Sequence, residues 1–377
     1  MSDRKWRALT LGDVATLEYG AALPATIRFG DEFPVFGSNG EVGRHSAALI
    51  KGPGIIVGRK GTVGALAWSR HDFWPIDTAY YVKVARNFDL RWFYWALSQL
   101  GLRRLDSSTG VPGLNRNDVY RLAFKVPPII EQRQIAAILD VLEEQIASSS
   151  LVVQKLQDLH KGLLMSFFEG DSVRNSCRWI PLGDLVDRNR PIVYGILMPG
   201  EHFPNGVPVV KVKDMKTGSI SPDGLLLTSP SIDREYRRSR LQAGDVLLSI
   251  RGTVGRVCIV GPQLNGANIT QDTARISLPN SLQRFAAHYL TSPDAQRFID
   301  SETVGLAVRG INLRDVRRIQ IPILPKGQAE MVVDALDASR FALNCEEARL
   351  SKLTQLMESL ARDLLSGRVR VPEQAAS

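Results

Sequence analysis

The chain has 377 residues, of which 44% are hydrophobic, 23% charged and 7% aromatic. That composition supports buried cores and excludes a disordered chain, and at roughly 150 residues per domain the length predicts two or three units. Lys and Arg number 47 against 39 Asp and Glu, so the net charge of +8 leans towards a polyanionic partner without identifying one.

Met1 to Trp6 is polar, so no secretory leader is read there, and no apolar run approaches the ~20 residues of a membrane span. Residues 1–130 carry 17 basic and 11 acidic residues. Within them Ile55-Ile56-Val57 and Thr78–Val84 read as strands, and Pro24, Pro34, Pro53 and Pro75 punctuate loops. Leu90–Leu105 reads as a helix, with Phe93, Leu97, Leu100 and Arg104 at helical spacing. After Pro127-Pro128 the character changes. Residues 131–170 hold 3 basic and 6 acidic residues, and a long helix is predicted over Glu131–Phe168, closed by Gly170.

The pattern then begins again. Trp6 with Leu11-Gly12-Asp13-Val14 recurs as Trp179 with Leu182-Gly183-Asp184-Leu185. Lys60-Gly61-Thr62-Val63-Gly64 recurs as Arg251-Gly252-Thr253-Val254-Gly255, and Asp77-Thr78-Ala79 as Asp272-Thr273-Ala274. Gly113-Leu114-Asn115 with Asp118-Val119 recurs as Gly310-Ile311-Asn312 with Asp315-Val316. The offset grows from 171 at Leu11/Leu182 to 191 at Lys60/Arg251, which places an insertion in loops around residues 188–240. Residues 171–325 are again basic, with 20 against 14; Val246–Ile250 and Thr273–Leu278 read as strands and Leu282–Ile299 as a helix. Residues 326–377 hold 7 basic and 8 acidic residues around a second long helix.

Both helices carry an apolar seam in 4-3 steps. In the first it runs Leu142, Ile146, Val153, Leu156, Leu163 and Phe167, interrupted by Ser149 and His160; in the second, Leu343, Leu350, Leu353, Met357, Leu360 and Leu364, interrupted by Glu346. A lone helix of about 55 Å would expose its seam, so burial of one against the other as an antiparallel coiled coil is expected. The expected fold class is therefore α+β. It comprises two mixed domains, at 1–130 and 171–325, and two helices, at 131–170 and 326–368. A flexible tail is expected at 369–377, and the whole forms a pseudo-twofold internal repeat.

This layout resembles the specificity (S) subunit of type I restriction-modification systems. The residues that carry the resemblance are Phe33-Pro34-Val35-Phe36-Gly37-Ser38-Asn39-Gly40, Arg59 to Gly64, Gly113-Leu114-Asn115, and Val126-Pro127-Pro128 with Glu131-Gln132. The second copy departs from the family at its helix start, where Leu324-Pro325-Lys326-Gly327-Gln328 keeps the Gln and loses the Glu. The resemblance implies two target-recognition domains that read the halves of a bipartite double-stranded DNA site. It implies helices that set the gap and dock two methyltransferase (M) subunits, and restriction/translocase (R) subunits reached through the M subunits. It also implies no catalytic site and no cofactor of the chain's own.

Candidate DNA contacts follow from the need for cations at phosphates and for Arg, Lys, Asn or Ser at base edges. In the first block they are Ser38, Asn39, Arg59, Lys60, Asn115 and Arg116. In the second they are Lys211, Lys213, Arg237, Arg238, Arg240, Arg251, Asn312 and Arg314. The glycines of Gly61–Gly64 and its twin suit a tight turn, and Asn115 and Asn312 either touch DNA or cap helices beginning near Asp118 and Asp315.

Catalytic readings lack residues. Val126-Pro127-Pro128-Ile129 has neither the amide nor the aromatic of an adenine methyltransferase motif, and GxxxxGK[ST], GxGxxG and HExxH are all missing. Asp214 beside Lys213 and Lys216 is a weak nuclease-like set, and Cys258 in an apolar strand suits a core. Cys177, Cys258 and Cys345 form no zinc or disulfide pattern, which fits a reducing cytoplasm. The rival reading is a stand-alone DNA-binding regulator with the same two domains.

Overall fold

The computed structural model describes residues 5–105, 113–170, 177–216, 218–305 and 309–371. The chain divides into two compact units, residues 1–151 with 348–377, and residues 152–347. Each unit therefore contains part of both long helices, Ile129–Phe168 and Lys326–Ser366.

Among the described residues nine strands build the first unit: β1 (Arg7–Thr10), β2 (Ala15–Tyr19), β3 (Phe33–Gly37), β4 (Gly40–His45), β5 (Gly54–Gly58), β6 (Leu66–Ser69), β7 (Trp74–Pro75), β8 (Ala79–Val84) and β9 (Ala123–Val126). They form a four-stranded sheet in the order β2-β8-β5-β6, a three-stranded sheet β4-β3-β7, and the pair β1-β9. On β5, Ile55 and Val57 face the main core while Ile56 faces a second cluster with Phe36, Phe73 and Ala79. Both faces of the strand are covered, which is why its sequence is a continuous apolar run rather than an alternating one.

The second unit holds β10 (Arg178–Pro181), β11 (Val193–Tyr194), β12 (Val207–Val210), β13 (Met215–Lys216), β14 (Ser219–Ile220), β15 (Leu226–Thr228), β16 (Val246–Ser249), β17 (Val257–Ile259), β18 (Asn268–Ile269), β19 (Thr273–Ile276) and β20 (Gln320–Ile323). Its sheets repeat the first unit's order: β11-β19-β16-β17, β15-β12-β18 and β10-β20. Among the described residues the hairpin β13-β14 has no counterpart in the first unit, and neither does the helix Pro230–Glu235 with the turn Arg237–Ser239. The insertion is thus folded structure: the hairpin lies between β12 and β15, where the first unit has the tight turn Ser38-Asn39 between β3 and β4, and the helix lies between β15 and β16, where the first unit has residues 46–53 between β4 and β5.

Hydrogen bonds fix the correspondence residue by residue. Leu11 N–H donates to Leu122 O and Leu182 N–H to Ile319 O; Leu114 N–H donates to Arg59 O and Ile311 N–H to Ile250 O. Three sequence matches shift on this frame. Gly58 pairs with Ala79 but Ser249 with Thr273, so the Asp-Thr-Ala motifs are one residue out of step. The reason is core facing, since Tyr80 and Val82 match Ala274 and Ile276 on the main-core side. Trp179 sits opposite Pro322 in β10, two positions on from Trp6, and each packs on different neighbours. Gln328 takes the place of Glu131, not of Gln132, whose place is held by Ala329. Gln132 Nε2 donates to Pro127 O and its Oε1 accepts from Asp89 N–H, a bridge that Ala329 cannot make.

Both medium helices are shorter than expected. Leu90–Gln99 ends ahead of Gly101, whose φ is +66°, and the chain resumes as a single 3-10 turn at Leu102–Leu105. The expected Leu282–Ile299 is two helices, Asn280–Leu290 and Pro293–Ser301, because Ser292 caps the second and Pro293 cannot continue the first.

The long helices are antiparallel within each unit. In the first, Ile135 and Leu139 share a core with Ala361, Leu364 and Leu365, and Arg370 Nε and Nη2 donate to Glu131 at 2.6 and 2.7 Å. In the second, Leu164 and Phe168 pack with Val332, Val333 and Leu336, and His160 Nδ1 lies 3.2 Å from Ser339 Oγ. Ser149 and His160 are buried in the seam as its polar members, and residues 372–377 of the expected tail lie outside the described residues.

Candidate nucleic-acid interface

In the first unit Arg59, Lys60, Asn115 and Arg116 line one cleft of about 450 Å³. At its centre stands Tyr19, the last residue of β2, with 49% of its surface exposed. The Arg59 guanidinium lies 4.7 Å from the Tyr19 ring centroid and that of Arg116 5.2 Å, so two cations share one aromatic ring. Tyr80 backs the pair with its ring 5.1 Å from that of Tyr19. Its hydroxyl donates to Leu114 O at 3.1 Å, and burial, with Tyr19 beside it, raises its pKa. Gly20 makes this possible, because a Cβ there would lie 2.2 Å from Ile76 O. Ser38 borders the same region, with its hydroxyl 3.5 Å from where a Gly61 Cβ would stand, and Asn39 is exposed on the turn. Asn115 caps the helix Arg116–Tyr120 by accepting from Asn117 N–H at 2.9 Å.

The second unit spreads its candidates over three clefts. Arg251 and Asn312 line the largest, about 890 Å³, together with Tyr194 and Gln271. Tyr194 is 54% exposed, and Arg251 Nη1 donates to Gln271 Oε1 at 3.2 Å. Asn312 begins the helix Leu313–Arg318, with no side-chain cap bond, and Arg314 is exposed on that helix. A neighbouring cleft of about 520 Å³ joins Lys213 and Arg251 with Arg256. Lys211 is half-buried, and its N–H donates to Asp214 at 2.9 Å, which gives that carboxylate a local backbone-capping role.

Arg237, Arg238 and Arg240 line a third cleft, of about 490 Å³, with Arg190 and Arg275. Two of its cations are held by buried carboxylates. Arg190 donates twice to Asp245, at 2.8 and 2.7 Å, and Arg240 pairs with Asp233, whose hydrogen bond and charge raise the guanidinium pKa. Arg237 and Arg238 are exposed and form no ion pair among the described residues. Arg240 is therefore tied to its own domain in a way that its neighbours are not.

Cys258 is buried, its thiol pKa pushed up to about 11 by desolvation, so it is a poor nucleophile. Among the described residues no group of three or more His, Cys, Asp or Glu could hold a metal ion. No described helix is long and apolar enough to cross a membrane. Tyr19 and Tyr194 escaped the sequence reading. Their signal was the dipeptide Tyr-Gly, present as Tyr19-Gly20 and Tyr194-Gly195, where a Gly195 Cβ would meet Ile269 O at 1.9 Å.

The chain is similar to type I specificity subunits in sequence and in fold. The family profile "Type I restriction modification DNA specificity domain" matches residues 3–157. The type I restriction enzyme EcoBI specificity subunit of Escherichia coli is 26% identical over 337 residues, 80% of this chain and 71% of that protein. A putative type I specificity subunit of Haemophilus influenzae, S.HindORF215P, is 21% identical over 360 residues, 89% of this chain and 87% of its own. Among solved structures, the S subunit from M. genitalium shares the fold with a TM-score of 0.67 at 18% identity, covering 100% of this chain and 98% of that one. A chain from a structural study of assembly in the type I R-M system gives 0.51 at 18% identity, over 97% and 98%.

Proposed function

We infer that this chain is a specificity subunit of a type I restriction-modification system and reads an asymmetric bipartite DNA site with one half-site per unit. The observation that carries the reading is the pairing of like and unlike. The two units share sheet order and twin hydrogen bonds, yet their clefts differ in size and in the side chains that line them. A common frame with different walls suits two related readers of two different sequences. Cations at the cleft rims supply phosphate attraction, and Asn, Gln and Arg groups supply base-edge bonds.

In this reading the chain is non-catalytic and acts in the cytoplasm. Its helices separate the readers and dock two M subunits, and R subunits join through the M subunits. Apolar side chains that the helices leave exposed support the docking role, among them Val141, Leu151 and Leu159 on the first and Met331 and Phe341 on the second.

Co-expression with a type I methyltransferase subunit from the same genome tests this. The expected result is co-purification of the two chains and methylation of DNA by the complex. A chain that binds DNA but neither retains the methyltransferase nor directs methylation would instead be the stand-alone regulator.

A further inference from the structure

The internal repeat provides a comparison within one molecule. Leu114 N–H donates to Arg59 O as Ile311 N–H donates to Ile250 O, and Lys60 bridges Gly113 as Arg251 bridges Gly310. Tyr19 pairs with Tyr80 across β2 and β8, and Tyr194 with Ala274 across β11 and β19. Around each cleft the same frame therefore recurs: an exposed tyrosine, a long cation at Lys60 or Arg251, an apolar floor at Leu114 or Ile311, and an Asn at 115 or 312. Three wall positions do not recur. Arg59, Tyr80 and Arg116 in the first unit stand where Ile250, Ala274 and Leu313 stand in the second; Ile250 and Leu313 line the second cleft, while Ala274 is buried in the core.

The substitution is one of chemistry. The first cleft presents two guanidinium groups stacked on Tyr19, one of them oriented by its bond from Nη1 to Asp77 O at 2.8 Å. The second replaces both with aliphatic side chains and lacks the Tyr80 ring, and it is the larger of the two, about 890 against about 450 Å³. A frame held constant while its walls exchange charge for aliphatic surface is what discrimination between two ligands of one class requires.

We propose that Arg59, Tyr80 and Arg116 in the first cleft, and Ile250 and Leu313 in the second, set which base each half-site cleft accepts, while Tyr19, Tyr194 and the asparagines form the shared seat. The cationic cleft takes an acceptor-rich base edge, which in the major groove is guanine through O6 and N7. The aliphatic cleft takes an edge bearing a methyl group, which is thymine. This assignment rests on the bipartite DNA reading above.

The test exchanges one wall position, because residues 116 and 313 are partly exposed in short helices and Arg and Leu are both good helix formers. Arg116→Leu and Leu313→Arg are each expressed with the methyltransferase partner, and the methylated motif is mapped across genomic DNA. Where methylation is too weak to map, the motif is selected from a randomised duplex pool by binding.

Arg116→Leu is expected to relax a guanine preference in one half-site by about tenfold or more, and Leu313→Arg to add one in the other. The unaltered half-site and the gap stay as they were. Unchanged motifs in both variants overturn the proposal, as does a change in both half-sites at once. A uniform loss of binding to every duplex overturns it too, since that marks the wall positions as phosphate contacts or as packing. If the wild-type complex itself yields no bipartite motif, the failure belongs to the underlying DNA reading and not to the wall positions.

Discussion

Tyr19 and Tyr194 occupy one structural position because Gly20 and Gly195 follow them. Each glycine lies against a backbone carbonyl, where a Cβ would come within 2.2 Å of Ile76 O or 1.9 Å of Ile269 O. Gly20→Ala and Gly195→Ala should each cost about 1–3 kcal/mol in urea unfolding and displace the tyrosine. An unchanged midpoint would show that the strand end moves freely. A second residue-scale expectation concerns His160. Burial, then the charges of Arg340 and His288, push its pKa to about 4, so at neutral pH it accepts from Arg340 Nη2 at 2.7 Å. The unfolded chain takes up a proton near pH 6.5 and the folded chain only near 4. The neutral imidazole is therefore tolerated without loss above pH 6.5, and stability falls as pH drops from 6.5 towards 4. Melting curves at pH 7 and 5 should show a smaller acid loss for His160→Gln than for the wild type. His288, itself pushed down by burial, remains in both. At this scale the sequence was partly legible. Arg59, Lys60, Asn115 and Arg116 were singled out by repeat and chemistry, and one cleft gathers them. The tie between Arg240 and Asp233 was not legible, because nothing in the spacing of seven residues signals that the carboxylate is buried.

At the scale of elements, the long helices were read closely because a 4-3 seam is periodic over forty residues. The medium helices were overextended because Gly101 and Pro293 break a periodicity that the apolar residues continue. Each unit also secures its medium helix to a long one through an acid at matching positions, Asp140 and Asp337. Arg91 Nε donates to Asp140 at 2.7 Å, Trp95 Nε1 donates to the same oxygen at 2.8 Å, and Arg284 and His288 both bind Asp337. Arg91 is only 14% exposed and lies against Trp68, Tyr94 and Trp95. Asp140→Ala leaves that buried cation with Glu143 alone and takes the acceptor from Trp95 Nε1, and should cost about 1–3 kcal/mol in chemical denaturation. Glu144→Ala removes a 67%-exposed partner of Arg70 and should cost under about 1 kcal/mol. Equal costs would contradict the anchoring role. The helices are also expected to act as spacers. Seven residues added at matched points of both should lengthen the unread gap and leave both half-sites as they were, as mapped methylation would show. A changed half-site would contradict that spacer role.

At the scale of the whole molecule, the repeat decided the architecture before any single element did. Two blocks of basic charge alternating with two acidic helices were visible in composition alone. What composition could not show is that the compact units divide each long helix between them, because that follows from which helical segment packs on which core. The base read by each unit was likewise hidden, since it depends on clefts assembled from strands β2, β5 and β8 and their twins, residues distant in sequence. The account's central claim is that one chain carries two non-identical readers. Sequencing the methylated sites in DNA from cells that hold this chain and its methyltransferase partner tests it most directly. One motif of two different half-sites separated by a gap of fixed length is expected; a single continuous palindrome would overturn the two-reader assignment.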